Sequence, residues 1–354
     1  MNKMKKSTVI LFVLLLIVIA TVVGERVFAE QIHKNNMISS TEELSQRITE
    51  ELMQGNESFI TYVHGMTEAQ LVSINRNLDG FFGHVDSFTI LRKVKSNMMM
   101  VSFNLVVSDN YYAYQSIVND MPISDHLQAS ILAEKVKQVM AANQTDSDYQ
   151  TVVNYHDYVV THTKYGFLSG EDEPLSYMAE GALLRGTAVC NGYAEAMELL
   201  LLCSGIDTYM AVGNTKDGAH AWNIVKIDDS WYHVDTTWDD PVPDMGTSAM
   251  HVYLNISDEI MRKSHNWNEN AYPECVKMDK NYFVKEQMRF GSVEDLNAYI
   301  VKNYPKQKVY EIELANHILT ETDLEYIMQN IRTRSATHQN YEGGNYSVYR
   351  IEFQ

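Results

Sequence analysis

The chain has 354 residues, room for two or three domains, and its 45% hydrophobic and 21% charged content excludes disordered and collagen-like classes. A net charge of −18 with no offsetting basic stripe repels phosphate backbones and excludes nucleic acid as a partner. It also repels anionic lipid or cell-wall surfaces, leaving covalent, hydrophobic or locally cationic contact.

The chain opens with Lys3, Lys5 and Lys6, an apolar run from Thr8 to Val23, and small enough residues at Val27-Phe28-Ala29 for signal-peptidase cleavage. The run is long for a cleaved leader and short for a bilayer span of about 20 residues. Residues 1–29 therefore read as a signal peptide or an N-terminal membrane anchor. Either places the globular part outside the cytoplasm, secreted or held on the outer face, with membrane contact only through this segment.

Residues 30–121 read as a small α/β module. Ser40 or Thr41 caps a helix to about Met53, with Glu42 and Glu43 in the first turn where the helix dipole favours acids. A strand at Phe59–Val63, a helix opened by Thr67-Glu68 and an antiparallel pair, Ser87–Val94 with Met98–Val107, follow. Tyr111-Tyr112-Ala113-Tyr114 suits surface or interdomain packing.

The central stretch, 122–290, begins with helices over His126–Ala142 and Ser147–Thr163, stopped at Tyr165-Gly166, and then a polar turn at Ser169–Pro174. Cys190-Asn191-Gly192-Tyr193-Ala194 starts an apolar run that ends at Ser204-Gly205. A helix apolar on all faces is a buried central helix, with Gly205 as its left-handed stop. Cys190 heads it, where free N–H groups and the positive dipole end favour thiolate. Gly192 lets a substrate backbone approach. Cys203, deep in the run, belongs to the core. With Cys275 the total is three, so at least one thiol is unpaired.

Ala219–Ile227 reads as a strand, Asp228-Asp229-Ser230 as a turn, and Trp231–Asp235 as the returning strand. His220 is then a diagonal neighbour of Asp235, roughly 7–8 Å away at the backbone. They share a face only if the loop holds an even number of residues or a bulge corrects the register. On one face, Asp235 can fix the His220 tautomer and His220 can move a proton at Cys190. A zinc set of His220, His233 and Asp235 is the rival use of the hairpin. No metal-ligand spacing supports it, and no phosphate loop appears, so no metal or cofactor is expected. Trp222, Trp231 and Trp238 bracket the hairpin as packing or as groove walls.

Residues 291–354 repeat the N-terminal plan. Ser292-Val293-Glu294-Asp295-Leu296 matches Ser40-Thr41-Glu42-Glu43-Leu44 at an offset of 252. Thr320-Glu321 with Leu324, Ile327, Asn330 and Ile331 matches Thr67-Glu68 with Leu71, Ile74, Asn77 and Leu78 at 253. The near-constant offset predicts a duplicated α-β-α-β module flanking the central domain.

Three motifs carry a family resemblance: Cys190–Ala194, Ala219–Asn223, and Trp231 through Asp235-Thr236-Thr237-Trp238-Asp239-Asp240-Pro241. In order and together they resemble the core of the transglutaminase-like superfamily, in its exported bacterial branch. Ile256–Glu259, His265, Trp267 and Tyr272–Cys275 look like a family extension. The resemblance implies a papain-like α+β core, with a Cys-bearing helix on an antiparallel sheet. It further implies Cys190 as nucleophile, His220 as general base and acid, and Asp235 as orienter. Asn191 departs from the calcium-dependent animal enzymes, which have tryptophan there, and their large β-sandwiches are absent. The departure weakens transfer of cross-linking activity and makes peptidase or amidase chemistry equally apt. The expected partner is a protein or peptide substrate, cell-envelope material included. The rival is a surface scaffold or binding module that keeps the fold with little turnover.

Overall fold

The structure, a computed structural model, describes residues 37–74, 82–95, 97–240, 249–315, 317–343 and 346–354. The expected leader, Asn77, Leu78 and Pro241 lie outside the described residues. Among those described, no helix is long and apolar enough to cross a membrane. The fold is mixed α+β, in two compact units: Met1–Tyr111 and Tyr112–Gln354. The stretches expected as central and C-terminal domains lie together in the second.

The first unit runs β1 (Met37–Ile38), α1 (Thr41–Met53), β2 (Ser58–His64), α2 (Glu68–Val72), β3 (Gly83–Lys95) and β4 (Met98–Val107). Its sheet has the order β1-β2-β4-β3, with β1 parallel to β2 and the other pairs antiparallel. Ser40 Oγ accepts the Glu43 N–H at the start of α1, and Thr67 forms a capping box with Gln70 at α2. Leu44, Ile48, Val63, Val101 and Phe103 fill the core. Tyr111 is buried with its hydroxyl where Gly55 would need a Cβ, so it packs inside this unit.

The second unit opens with α3 (Asp109–Val118, which spans the division), α4 (Leu127–Asn143) and α5 (Asp148–His162). The short β5 (Lys164–Tyr165) and β6 (Thr187–Ala188) pair in parallel beside α6 (Cys190–Cys203). A five-stranded sheet follows: β7 (Thr208–Thr215), β8 (Gly218–Ile227), β9 (Ser230–Val234), β10 (Leu254–Ile256) and β11 (Asn266–Trp267), in the order β10-β9-β8-β7-β11. The stretch expected as a polar turn at Ser169–Pro174 is a 3-10 helix, Gly170–Tyr177; Pro174 is tolerated because it lacks only a donor there.

Helix α6 is buried on every face, Glu195 and Glu198 included, and packs on β7 and β8 through Ala194, Met210 and Ala221. Leu199, Leu200 and Leu201 have no exposed surface, each worth about 1.5–3 kcal/mol of burial. Gly205, at φ 77°, ends it as expected. Ser230 proves to be part of β9, paired with Ile227, so the hairpin turn is only Asp228-Asp229, with Asp228 at φ 53°. Two loop residues is the even number that puts His220 and Asp235 on one face.

Two short helices, α7 (Asp258–Met261) and α8 (Tyr282–Lys285), lead to β12 (Arg289–Phe290), α9 (Val293–Asn303), β13 (Val309–Leu314), α10 (Glu321–Ile331), β14 (Ala336–Gly343) and β15 (Tyr346–Phe353). Their sheet order, β12-β13-β15-β14, with β12 parallel to β13, repeats that of the first unit strand for strand. Ser292 caps α9 as Ser40 caps α1, and Thr320 forms the capping box that Thr67 forms. The repeat is richer than the α-β-α-β plan. Each copy starts with a two-residue parallel strand and ends in a hairpin.

Candidate active site

Cys190 is the first residue of α6, partly exposed, while Cys203 and Cys275 are buried; all three are free thiols. The first N–H groups of a helix have no partner within it, so the sulfur sits at a cluster of donors. Gly192 does allow a close backbone approach, but the approaching chain is the protein's own. A Cβ there would lie 2.7 Å from the Ser176 carbonyl oxygen and 2.8 Å from that of Met178. Asn191, which stands where the animal enzymes have tryptophan, braces the same turn. Its Nδ2 donates to the Tyr177 carbonyl at 2.7 Å and to Glu195 Oε1 at 3.0 Å, and Glu195 Oε2 accepts the Ala179 N–H.

The hairpin brings His220 to Asp235. The register pairs Asn223 with Val234 and Ile224 with His233, so His220, Trp222, Ile224, His233 and Asp235 share a face. His220 Nε2 lies 2.8 Å from Asp235 Oδ2, with Asp235 fully buried. The other ring nitrogen, Nδ1, is left for Cys190, whose thiol lies near enough to the His220 side chain and the Ala221 backbone for both to favour its ionised form. Burial works against ionisation of the thiol, but the hydrogen bond and charge of His220 outweigh it and hold the thiol below its usual range. Burial likewise opposes charge on His220, and the Asp235 carboxylate, with the Cys190 sulfur, overcomes it and raises the imidazole. Thiolate and imidazolium thus favour one another. Burial alone pushes Cys203 up to about 12, and burial followed by the Asp258 carboxylate raises Cys275, so neither shares this state.

Asp235 is held on both oxygens. Oδ1 accepts the N–H groups of Thr237 and Trp238, each at 3.1 Å. Oδ2 accepts from His220 and also from His265 Nε2 at 3.1 Å. Although burial opposes its charge, these histidines keep the carboxyl well below the usual carboxylate range. An ionised carboxylate only accepts, so both Nε2 atoms carry hydrogen. His265 has no exposed side-chain surface and its Nδ1 lies 2.8 Å from Ser264 Oγ. In the sequence His265 stands only as part of the family extension. Its number gave no sign of contact, because it reaches Asp235 across 30 residues of chain.

The zinc set weighed from sequence is not assembled. His233 lies on the expected face, but its Nδ1 accepts from Trp222 Nε1 at 2.9 Å and its Nε2 donates to Asp258 Oδ1 at 2.8 Å. Burial lowers its pKa first of all, which suits the neutral ring these partners require. Among the described residues, three other groupings have ligand-type atoms within 4.8 Å of one another: His220 with Asp235 and His265, His233 with Asp258 and Cys275, and His156 with Asp157 and His251. The first two already use their polar atoms to fix the hairpin. Trp222 is 1% exposed, so it is packing and not a groove wall. Trp231 and Trp238 are partly buried against the same core.

The segment after Asp235 ties the site to the helices. Asp239 accepts the Tyr253 N–H and bonds His156 Nε2 of α5 at 3.0 Å, and Asp240 accepts from Tyr193 of α6 at 2.5 Å. Asn223 Nδ2 donates to the Ala194 carbonyl at 3.0 Å, clamping β8 onto α6 just past the sulfur. Cys190 thus lies beside His220, which is hydrogen-bonded to Asp235, and the arrangement can generate a nucleophilic sulfur with a proton beside it.

Residues 134–236 match the model of the transglutaminase-like superfamily. No curated protein matches the chain. Among solved structures, the chain is similar to a TGase at 16% identity and a TM-score of 0.28, over 58% of this chain and 59% of that one. It is also similar to the periplasmic domain of TgpA from Pseudomonas aeruginosa, at 18% identity and a TM-score of 0.23, over 40% of this chain and 54% of that one. The chain thus spans less than two thirds of the length of either. Likeness at these levels carries no argument about activity.

Proposed function

We propose that this chain, whose residues 134–236 belong to the transglutaminase-like superfamily, is an exported acyl-transfer enzyme that attacks an amide carbonyl with Cys190. The observation that carries the reading is the continuous path from the Cys190 sulfur through His220 to a doubly anchored Asp235. Export rests on the basic and apolar pattern of residues 1–29.

In the first half-reaction the thiolate adds to the carbonyl carbon, forming a C–S bond and moving an electron pair onto oxygen. The N–H groups at the head of α6 face that developing charge, and one such donor is worth about 2.7–4 kcal/mol where it has been removed elsewhere. As the intermediate collapses the C–N bond breaks, and His220 gives its proton to the leaving amine. A thioester remains on Cys190. Water or a primary amine then adds to the thioester while His220 takes a proton, and the sulfur leaves as thiolate. Asp235 holds the imidazole in one orientation throughout and balances its positive form. Water as acceptor gives a peptidase or amidase, and a lysine amine gives a cross-linker.

Selective alkylation tests the site before any substrate is known. At pH 7 iodoacetamide should modify Cys190 at least about 100-fold faster than Cys203 or Cys275, because thiolate fraction governs the rate. Peptide mapping after timed quenching reads it. Equal rates at the three cysteines would end the enzymatic reading and favour the rival, a binding protein. That rival has one specific support, the repeated β-α-β-α-β-β module in each unit. Incubation with a glutamine peptide, with and without an amine, then separates hydrolysis from incorporation by product mass.

A further inference from the structure

Two backbone segments are fastened to the start of the Cys190 helix, and both carry large apolar side chains into solvent. On one, β5 pairs with β6 so that Tyr165 sits against Ala188, and the Gly166 N–H donates to the Ala188 carbonyl at 2.9 Å. On the other, the turn at Ser176–Met178 is held by the Val189 N–H to Ser176 at 2.9 Å, by Asn191 to Tyr177, and by its contact with Gly192. Residues 188–192 are thus clasped by segments whose large apolar side chains stay exposed. Tyr165 is 51% exposed, Phe167 60%, Tyr177 47% and Met178 42%.

The three aromatic residues lie near one another, and Met178 follows Tyr177 in the chain. The rings of Phe167 and Tyr177 are 5.8 Å apart, linking the two segments, and the Tyr165 ring lies 6.4 Å from that of buried Tyr193 in α6. The Tyr165 phenol is raised by burial first, and then by the charges of Cys190 and Asp217, which agrees with a place between the sulfur and the β7–β8 turn. A contiguous apolar patch on a soluble protein marks a contact surface. Pinned backbone reduces the entropy lost when the patch is covered. The 3-10 helix that ends at Tyr177 carries Glu171, Glu173 and Asp172, the last paired with Arg185 at 3.6 Å, and the charge of Asp217 reaches Tyr165. The occupant must therefore be apolar and free of negative charge.

We propose that Tyr165, Phe167, Tyr177 and Met178 form the acyl-donor subsite, which receives a large apolar or aromatic side chain beside the attacked carbonyl. The proposal rests on Cys190 being the nucleophile and goes further by naming the donor's chemistry. It is a peptide with a bulky apolar residue at the reaction point and no acidic neighbour.

The test uses three dipeptidyl chloromethyl ketones that differ only in the residue bearing the reactive group, Phe, Ser or Glu. Second-order alkylation rates of Cys190 are read by intact mass and divided by the rates for free glutathione. The Phe probe should exceed the Ser probe by about ten-fold after this correction, with the Glu probe slowest. In the double variant Phe167→Ser with Tyr177→Ser the Phe-to-Ser ratio should fall towards unity, while the iodoacetamide rate at Cys190 stays at the wild-type value. Both side chains are exposed, and the Asn191 bond uses only the Tyr177 backbone, so the fold is kept. A corrected ratio near unity in the wild type, or one that survives in the double variant, overturns the subsite and leaves the nucleophile intact. A Cys190 no more reactive to iodoacetamide than Cys203 overturns the nucleophile, and the subsite with it.

Discussion

His265 is the residue whose contribution sequence spacing could least reveal. It supplies a second donor to the same Asp235 oxygen that His220 uses. A hydrogen bond to a charged group contributes about 1.5–3 kcal/mol, and removing it raises the Asp235 pKa from its depressed position. Asp235 stays ionised at pH 7, but without this second donor it is less firmly fixed along the His220 N–H, so it holds the imidazolium, and with it the thiolate, less firmly. His265→Ala should therefore lower Cys190 alkylation at pH 7 by about 3- to 10-fold and move the acid limb of the rate profile to higher pH. His265→Asn keeps a donor and should recover part of the loss. An unchanged profile in both variants would make His265 mere packing. The placement of Cys190, His220 and Asp235, by contrast, was legible, because each stood on or beside an element whose type the local pattern announced.

Among elements, α6 and the β8–β9 hairpin show where local reading suffices and where it stops. An apolar run with a glycine stop specifies a buried helix, and alternation around Asp228-Asp229 specifies a hairpin. Face parity turned on one residue, since Ser230 had to join β9 before His220 and Asp235 could share a side. Gly192 shows the other limit. Its need for space was visible, but what fills the space was not, because the Ser176–Met178 turn arrives from another part of the fold. Gly192→Ala should force that turn away from α6 and cost about 1–3 kcal/mol of stability. A urea midpoint equal to wild type would mean the turn yields freely.

At the scale of the molecule, a second ionic cluster joins the C-terminal module to the helices within the second unit. His251 Nδ1 lies 2.6 Å from Glu311 of β13 and its Nε2 3.0 Å from Asp157 of α5, which also bonds His156. Burial opposes the charge on His251, but Glu311 and Asp157 raise its pKa to about 10. The unfolded value is about 6.5. Above that the folded chain holds a proton the unfolded chain lacks, so stability is fully present below about pH 6.5 and is lost as pH rises towards 10. On the acid side, Asp157 and Asp235 are held below their ordinary range against the opposing effect of burial. Their stabilisation is present above the unfolded value of about 3.9 and is lost as pH falls through the depressed folded values. Urea midpoints for the full chain at pH 6, 8 and 9.5 should decline in that order. His251→Gln should flatten the decline, and a slope as steep as wild type would remove His251 as its source.

The sequence by itself determined the candidate site residues, the buried helix that starts at Cys190, the hairpin behind it and the repeat of two capped helices, since each is written in local spacing and in the residue types that spacing demands. Only the tertiary structure decided that His265 shares Asp235, that His233 turns to Asp258, that Asn191 and Gly192 serve a loop of the protein's own, and that both modules wind in the same strand order. Those outcomes depend on side chains and strands brought together from distant parts of the chain, and packing over such distances has no signature in local periodicity.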